Sequence, residues 1–365
     1  MRDKKKYWFH GTVAAGFVLV TALYMPTVAQ QIVMTSPEKT RAASQAEGSV
    51  EMLTAHSFRK DYVRPTEIPF PEENPYSEEK ERLGKMLFFD PRLSRAGMQS
   101  CASCHNPSFA WGDGLPKGVG DGMKELKRRT PTILNAAWGE IFMWDGRKDT
   151  LEEQALGPIE ADVEMNLPID KLLERLNGIK EYKELFAAAF PQNPEISADN
   201  IAMAIATYER TVVSGKAPFD RWIEGEEGAI SEAAKRGFAL FNTKGQCMQC
   251  HSSWRFSDDS FHDIGLPDAD IGRAEFLPDL EKMQHAFKTP GLRNIDRRGP
   301  FMHDGSLADL RAVIVHYNDG GVDRPSRSNE IKPLGLNDRE INDLVAFLET
   351  LTSDDPPISL TALPR

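Results

Sequence analysis

Cys101-Ala102-Ser103-Cys104-His105 and Cys247-Met248-Gln249-Cys250-His251 both read CxxCH, and together they use all four cysteines of the 365-residue chain. Two thiols three positions apart stand on one helical turn, where they add to the two vinyl groups of a haem. The histidine that follows binds the iron from below. A pair of CxxC motifs also describes a zinc ribbon, but there the pairs stand about 15–20 residues apart. Here a domain's length of chain separates them. The sequence therefore predicts two covalently bound c-type haems and leaves no cysteine for a disulfide.

The length suits two ordinary domains. A hydrophobic content of 40% suits a globular body and not a multispan membrane protein. The formal net charge is −11, and haem propionates add to it. That excludes nucleic acid and suits a basic or weakly charged partner. Residues 1–29 read as an export segment: Arg2, Lys4, Lys5 and Lys6, an apolar run over 12–25, then Thr27-Val28-Ala29 as a cleavage site. Left uncleaved, the run extended from Tyr7 approaches spanning length and makes an N-terminal membrane anchor. Either way the globular part faces the periplasm.

Residues 30–64 are polar, without a sustained period, and read as a tether. Ser77 predicts the cap of a helix with Leu83, Met86 and Leu87 on one face. Thr150 opens a capping box with Glu153, and Pro158 limits the helix. Helical patterns follow over 170–177, 181–190 and 197–213, the last with Ile201, Ala204, Ile205 and Tyr208 inward. The stretch 216–228 reads as a domain boundary. Ser231 predicts a cap for a helix through Phe238 and Phe241. Ser306 does so for one with Leu310, Val313, Ile314 and Tyr317 inward, and Asn337 or Asp338 for the last, with Ile341, Leu344 and Leu348 inward. Leu87-Phe88 and Leu240-Phe241 precede the two haem motifs, a faint sign of duplication. No sheet is evident, so the expected fold is mostly α with long loops.

Several further stretches resemble the bacterial dihaem cytochrome c peroxidase and MauG family. They are Leu87-Phe88-Phe89-Asp90-Pro91-Arg92-Leu93-Ser94, Phe142-Met143-Trp144-Asp145-Gly146-Arg147, Leu151-Glu152-Glu153-Gln154-Ala155, Gly157-Pro158-Ile159, Phe287-Lys288-Thr289-Pro290-Gly291-Leu292-Arg293-Asn294 and Met302-His303-Asp304-Gly305. The resemblance runs from about Pro65 to Leu351 and implies two cytochrome c-like domains with one covalent haem each. Peroxide meets the N-terminal haem, and the C-terminal haem handles electrons. The expected division is 65–225 for the peroxidatic domain and 226–352 for the electron-transfer domain, with a loose tail over 353–365.

The eight histidines are His10, His56, His105, His251, His262, His285, His303 and His316, so none lies between the two haem histidines. Classical members of the family close the first haem with a loop histidine; by position that loop is 114–122, and the matching residue resembles Asp121. An open first iron is expected, with Met123, Met143 and Met165 as the other candidate ligands. Peroxide chemistry needs a base. Glu160, Asp162 and Glu164 are the local candidates; the resemblance selects Glu164, with Gln154 as its distal partner. Trp144 resembles the tryptophan placed between the haems, whereas Trp138 and Trp222 read as core. For the second iron, His251 supplies one side, and Tyr317 or Met302 the other. Tyr317 lies on the apolar face of its helix and matches a tyrosine of the MauG branch. A phenolate stabilises ferric iron, and a thioether raises the potential. Arg273 and Arg293 read as propionate partners; His262, His285 and His303 read as structural.

The family also implies calcium between the domains, held by an asparagine. That position resembles Arg129, and Arg298 stands in the other half of the site, so a calcium ion is doubtful. The MauG branch carries a tryptophan before the second CxxCH as an exit for oxidising equivalents. Here Lys244-Gly245-Gln246 stands there, and Trp254 is the nearest candidate. The expected function is a periplasmic peroxidase that reduces hydrogen peroxide with electrons from a small redox protein (a cytochrome c or a cupredoxin) or from a protein substrate. Its rivals are a maturation enzyme that oxidises a tryptophan or tyrosine of a partner, and a non-catalytic two-haem carrier. The lack of a spare histidine in the first half speaks against the carrier.

Overall fold

The computed structural model describes residues 57–359 and 362–365; the export segment, its anchor alternative and most of the tether lie outside them. The first half carries α1 (Glu78–Phe89), α2 (Cys101–Cys104), α3 (Leu151–Glu160), α4 (Ile169–Asn177), α5 (Lys180–Ala189) and α6 (Ala198–Thr211). Then follow α7 (Pro218–Ile223), α8 (Glu232–Asn242), α9 (Leu310–Asp319) and α10 (Asp338–Glu349). The one ladder of named strands is short: β1 (Phe261–His262) runs antiparallel to β2 (Phe287–Lys288). The fold is mostly α with long loops, as the sequence implies.

Caps fix the helix starts. Ser77, Ser231 and Asn337 each accept from a backbone N–H three residues on. Thr150 accepts from Glu153, but the Glu153 carboxylate returns to the N–H of Asp149 and not to that of Thr150. Two expectations shift. Asp309, not Ser306, caps α9, because its carboxylate reaches the N–H of Ala312 at 2.7 Å. Pro158 does not stop α3, which runs on to Glu160, although the ring gives up the N–H that a helical residue there would donate.

The two halves repeat each other closely. From residue 129 to 158, each matching position recurs 159 residues later: Thr130-Pro131 and Thr289-Pro290, Asn135 and Asn294, Phe142-Met143-Trp144-Asp145-Gly146 and Phe301-Met302-His303-Asp304-Gly305. The backbone repeats too. Met143 and Met302 have φ of 70° and 73°, and Gly146 and Gly305 of 66° and 68°. Antiparallel bridges join Phe142 to Lys148 and Phe301 to Leu307. Asn135 and Asn294 are buried and accept the N–H of Ser214 and Ser353, each at 3.0 Å.

Each half builds its core on a crossed helix pair, α1 on α6 and α8 on α10. Gly84 and Gly237 sit at the crossings. A Cβ at Gly84 would stand 1.8 Å from the carbonyl oxygen of Ala204, and one at Gly237 1.9 Å from that of Asp343. Only glycine lets the backbones approach so closely. Leu87, Phe88, Tyr182, Phe186 and Ile205 fill the first core, and Phe219, Trp222, Phe238, Phe241, Phe256 and Phe347 the second.

Core membership differs from the expected division. Phe219 and Trp222, placed before the boundary, pack in the second core. So does Tyr62 at the end of the supposed tether, whose hydroxyl donates to Asn242 at 2.7 Å. Arg59 stacks 3.8 Å above Trp222. The tail is held as well: Ser353 is buried on Asn294, and Asp355 accepts the N–H of Gly215 at 2.6 Å.

Candidate haem sites

Both CxxCH motifs close in the same way, with the histidine N–H bonded to the carbonyl of the first cysteine at 2.8 Å. His105 Nδ1 then meets the carbonyl of Trp111 at 3.2 Å, and His251 Nδ1 that of Phe256 at 2.7 Å. A carbonyl on Nδ1 fixes the tautomer and leaves Nε2 as the ligand atom. Burial holds both imidazoles below their ordinary pKa, so they stay neutral. Phe88 and Phe241 stand 6.5 Å from the respective imidazoles, another repeated contact.

Beside each motif lies a cavity. The second is a cleft of about 1390 Å³, part of it open to solvent, among Cys247, Cys250, His251, Phe287, Met302, His303, Ile314 and Tyr317. The first is two spaces of about 920 and 540 Å³ that share His105 and Gln154 in their walls. The four cysteines are free thiols. Paired thiols, a fixed imidazole and an apolar cavity in each half fit a c-type haem in each.

These sites carry the family signature along the chain. The di-haem cytochrome c peroxidase family matches residues 78–228, and the cytochrome c family residues 234–352. Methylamine utilization protein MauG of Methylorubrum extorquens is 53% identical over 325 residues, covering 88% of this chain and 92% of that one. The chain belongs to the di-haem cytochrome c peroxidase and MauG family. Cytochrome-c peroxidase IdrP1 of Denitromonas iodatirespirans is 37% identical over 328 residues, covering 80% and 86%. A crystal structure of a MauG-like protein associated with microbial copper homeostasis superposes with a TM-score of 0.74 at 32% identity, covering 80% of this chain and 94% of that one. As a member of this family the protein is an oxidoreductase that acts with peroxide and carries two covalently bound c-type haems.

The family's first haem cavity brings Gln154 and Glu164 together with Cys101, Cys104 and His105. Burial raises the pKa of Glu164, and Arg147 partly opposes it. Asp121, which the sequence reading compares with a loop histidine, has its carboxylate on Arg95 at 2.5 Å and Asn166 at 2.9 Å. Met123 is 83% exposed, whereas Met143 and Met165 line the cavity spaces. Trp144 lines both haem cavities, and its indole N–H donates to the carbonyl of Arg129 at 2.8 Å.

In the second cavity Tyr317 and Met302 both reach the wall beside His251. The phenols of Tyr62 and Tyr182 pair with Asn242 and Asp90, while that of Tyr317 takes no hydrogen-bond partner among the described residues. Arg293 lines the first cavity and ion-pairs with Asp220 at 2.8 Å. Arg273 lies away from both cavity walls, on the carbonyls of Asp145 and Gly146 and over Phe261. Trp254 is only 8% exposed and packs edge-on against half-buried Trp138 at 4.8 Å, so it opens no surface exit by itself. His262 bonds Asp258 and Ser328, and His285 the carbonyl of Asp270.

The sequence reading missed one pairing of residues and one buried carboxylate. Helices α3 and α9 are equivalent, capped by Thr150 and Asp309, and in register Pro158 stands where α9 carries Tyr317. Aligning the halves on Phe-Met-x-Asp-Gly reveals this. The other is Glu209, 3% exposed in the wall of the first cavity, with one carboxylate oxygen unpartnered among the described residues. It follows Tyr208 on α6, one position off the apolar face that the periodicity picks out.

Proposed function

We propose that this enzyme reduces hydrogen peroxide at the N-terminal haem, fed through the C-terminal haem by a small redox protein, with His105 on the first iron and His251 and Tyr317 on the second. The exchange of Pro158 for Tyr317 between equivalent helices carries the reading. Proline offers the first iron no donor atom, while the phenol offers the second an oxygen. Bound in these cavities, the haems supply an iron that takes a peroxide oxygen and a second that exchanges electrons. Glu164 accepts the proton of the inner peroxide oxygen and returns it to the outer one, which leaves as water. Gln154 orients the peroxide. Trp144, in the wall of both cavities, carries electrons between them. Export by residues 1–29 places this chemistry in the periplasm, and the acidic chain favours a donor with a basic face.

The test is magnetic and optical spectroscopy of the fully oxidised protein. One high-spin and one low-spin haem are expected, with the low-spin signature altered in Tyr317→Phe. An unaltered signature assigns Met302 instead. Two low-spin haems indifferent to peroxide would sink the peroxidase reading.

The 53% identity to MauG favours a second reading, in which the oxidising equivalents are drawn from a tryptophan or tyrosine of a dedicated partner. Steady turnover of peroxide with reduced cytochrome c or cupredoxin supports the first reading. Stoichiometric oxidation of a partner side chain, read by mass spectrometry, supports the second.

A further inference from the structure

The family resemblance implies a calcium ion between the two halves, and the residues here do not fit one. Arg129, at the position of the family's asparagine, is 5% exposed, and its Nη2 donates to the carbonyl of Arg298. Arg298 is equally buried, with Nη1 on the carbonyls of Gly291 at 2.6 Å and Arg293 at 3.1 Å. Calcium is held by six to eight oxygens. Here a guanidinium stands in place of the asparagine oxygen and takes a nearby carbonyl, and a second guanidinium lies alongside. Burial, and after it the neighbouring Arg129, lowers the pKa of Arg298 to about 9, and a further cation would meet both guanidinium charges.

The same residue holds the junction by its backbone. The N–H of Arg129 donates to the carbonyl of His303 at 2.7 Å, and its carbonyl accepts the indole of Trp144 at 2.8 Å. Its repeat counterpart, Lys288, donates its N–H to the carbonyl of Trp144 at 2.8 Å. Lys288 turns its ammonium to Asp259, however, and forms an ordinary ion pair. Of this repeated pair, it is Arg129 that brings its charge to a carbonyl of the opposite half.

We propose that Arg129 is the resident cation of the junction between the two haem cavities, standing in for a metal ion and fixing Trp144, so that this enzyme takes no calcium there. The guanidinium draws the Arg298 carbonyl toward the first half. The main chain of Arg129, anchored at that point, presents its own carbonyl to the indole. Arg129 is thus a positioning residue that acts through Trp144. The inference holds whether electrons come from a redox protein or a protein substrate, and metal content is read without turnover.

The experiment uses the full-length protein with both haems attached. After equilibration with calcium chloride and gel filtration, elemental analysis is expected to find no stoichiometric calcium, and EDTA is expected to leave the haem absorption and electron paramagnetic resonance spectra unchanged. One calcium per chain, or a spectrum that EDTA alters, overturns the proposal. In Arg129→Gln, slower electron equilibration between the haems is expected, by roughly tenfold or more, with partial rescue in Arg129→Lys. Wild-type equilibration in Arg129→Gln overturns the positioning role. Should Arg129→Gln fail to fold, Arg129→Lys decides it: the ammonium is a point charge without the planar fork, so a shifted paramagnetic spectrum is expected, and identity with wild type overturns the role.

Discussion

Trp144 and His303 occupy equivalent places in the two halves and face each other edge to face, with ring centroids 6.4 Å apart. The N–H of Lys288 bonds the carbonyl of Trp144, and the N–H of Arg129 bonds that of His303, so each half grips the other's aromatic residue. At this position the repeat is broken in which ring stands there. His303 stacks on Phe287 at 3.5 Å, while Trp144 reaches into both haem cavities. Trp144→Phe keeps the bulk and removes the easily oxidised indole. Electron equilibration between the haems should slow at least about tenfold, or about 1.4 kcal/mol of barrier, with haem content unchanged. Flash-induced reduction followed at the two haem bands measures it, and a wild-type rate removes Trp144 from the path.

Glu164 is the carboxylate whose burial suits it to proton transfer. Its raised pKa sets a direction: the ionised form is the base, so the rate of peroxide reaction should fall as pH drops through that raised value. Glu164→Gln should lose this acid limb and slow the reaction by about 10²–10⁴-fold. Stopped-flow mixing with peroxide across pH checks both. A variant that keeps the wild-type rate and limb points to another base.

The glycines at the helix crossings carry the repeated fold. In Gly84→Ala the new methyl meets the backbone of Ala204, and in Gly237→Ala that of Asp343. Backbone atoms cannot swing aside as a side chain does, so the helices must part. Overpacking of this kind costs about 1–3 kcal/mol, against a helix-propensity gain of about 1 kcal/mol for alanine over glycine. A net loss is expected in both variants, read from denaturant midpoints of the holoprotein. A stabilised variant at either site contradicts the packing argument.

Much of this was legible in the chain because it rests on local chemistry. CxxCH writes its own geometry, and periodicity turned Tyr317 inward without a structure. Ser77, Ser231 and Asn337 announced their helices because each cap is bonded three residues on. Ser306 misled for the same reason: it is a good cap residue, but the turn on Asp304 claims its N–H and Asp309 starts the helix. The pairing of Pro158 with Tyr317 needed the two halves laid over each other. The Leu-Phe pairs show the duplication only faintly, because α1 and α8 share little sequence beyond glycine, leucine and phenylalanine. Arg129 was visible as an obstacle to calcium, but its hold on Arg298 and Trp144 joins residues far apart in the chain.

Glu209 lay hidden because a glutamate in so acidic a chain reads as surface. Its burial in the wall of the first cavity pushes its pKa up to about 8, with Arg210 opposing and Glu152 adding. The unfolded chain releases this proton near the ordinary glutamate value of 4.5, whereas the folded chain keeps it until about 8. Below both values the group is protonated in either state and has no effect. Between them the folded state binds the extra proton, so stability should fall as pH rises, and level off above the folded value. Glu209→Gln keeps the shape and removes the titration. Relative to wild type, the variant should gain stability from about pH 5 to about pH 8, by no more than a few kcal/mol. Denaturant titrations of both holoproteins across that range decide it. Parallel curves would place the Glu209 carboxyl in contact with water and outside the dry wall of the haem cavity.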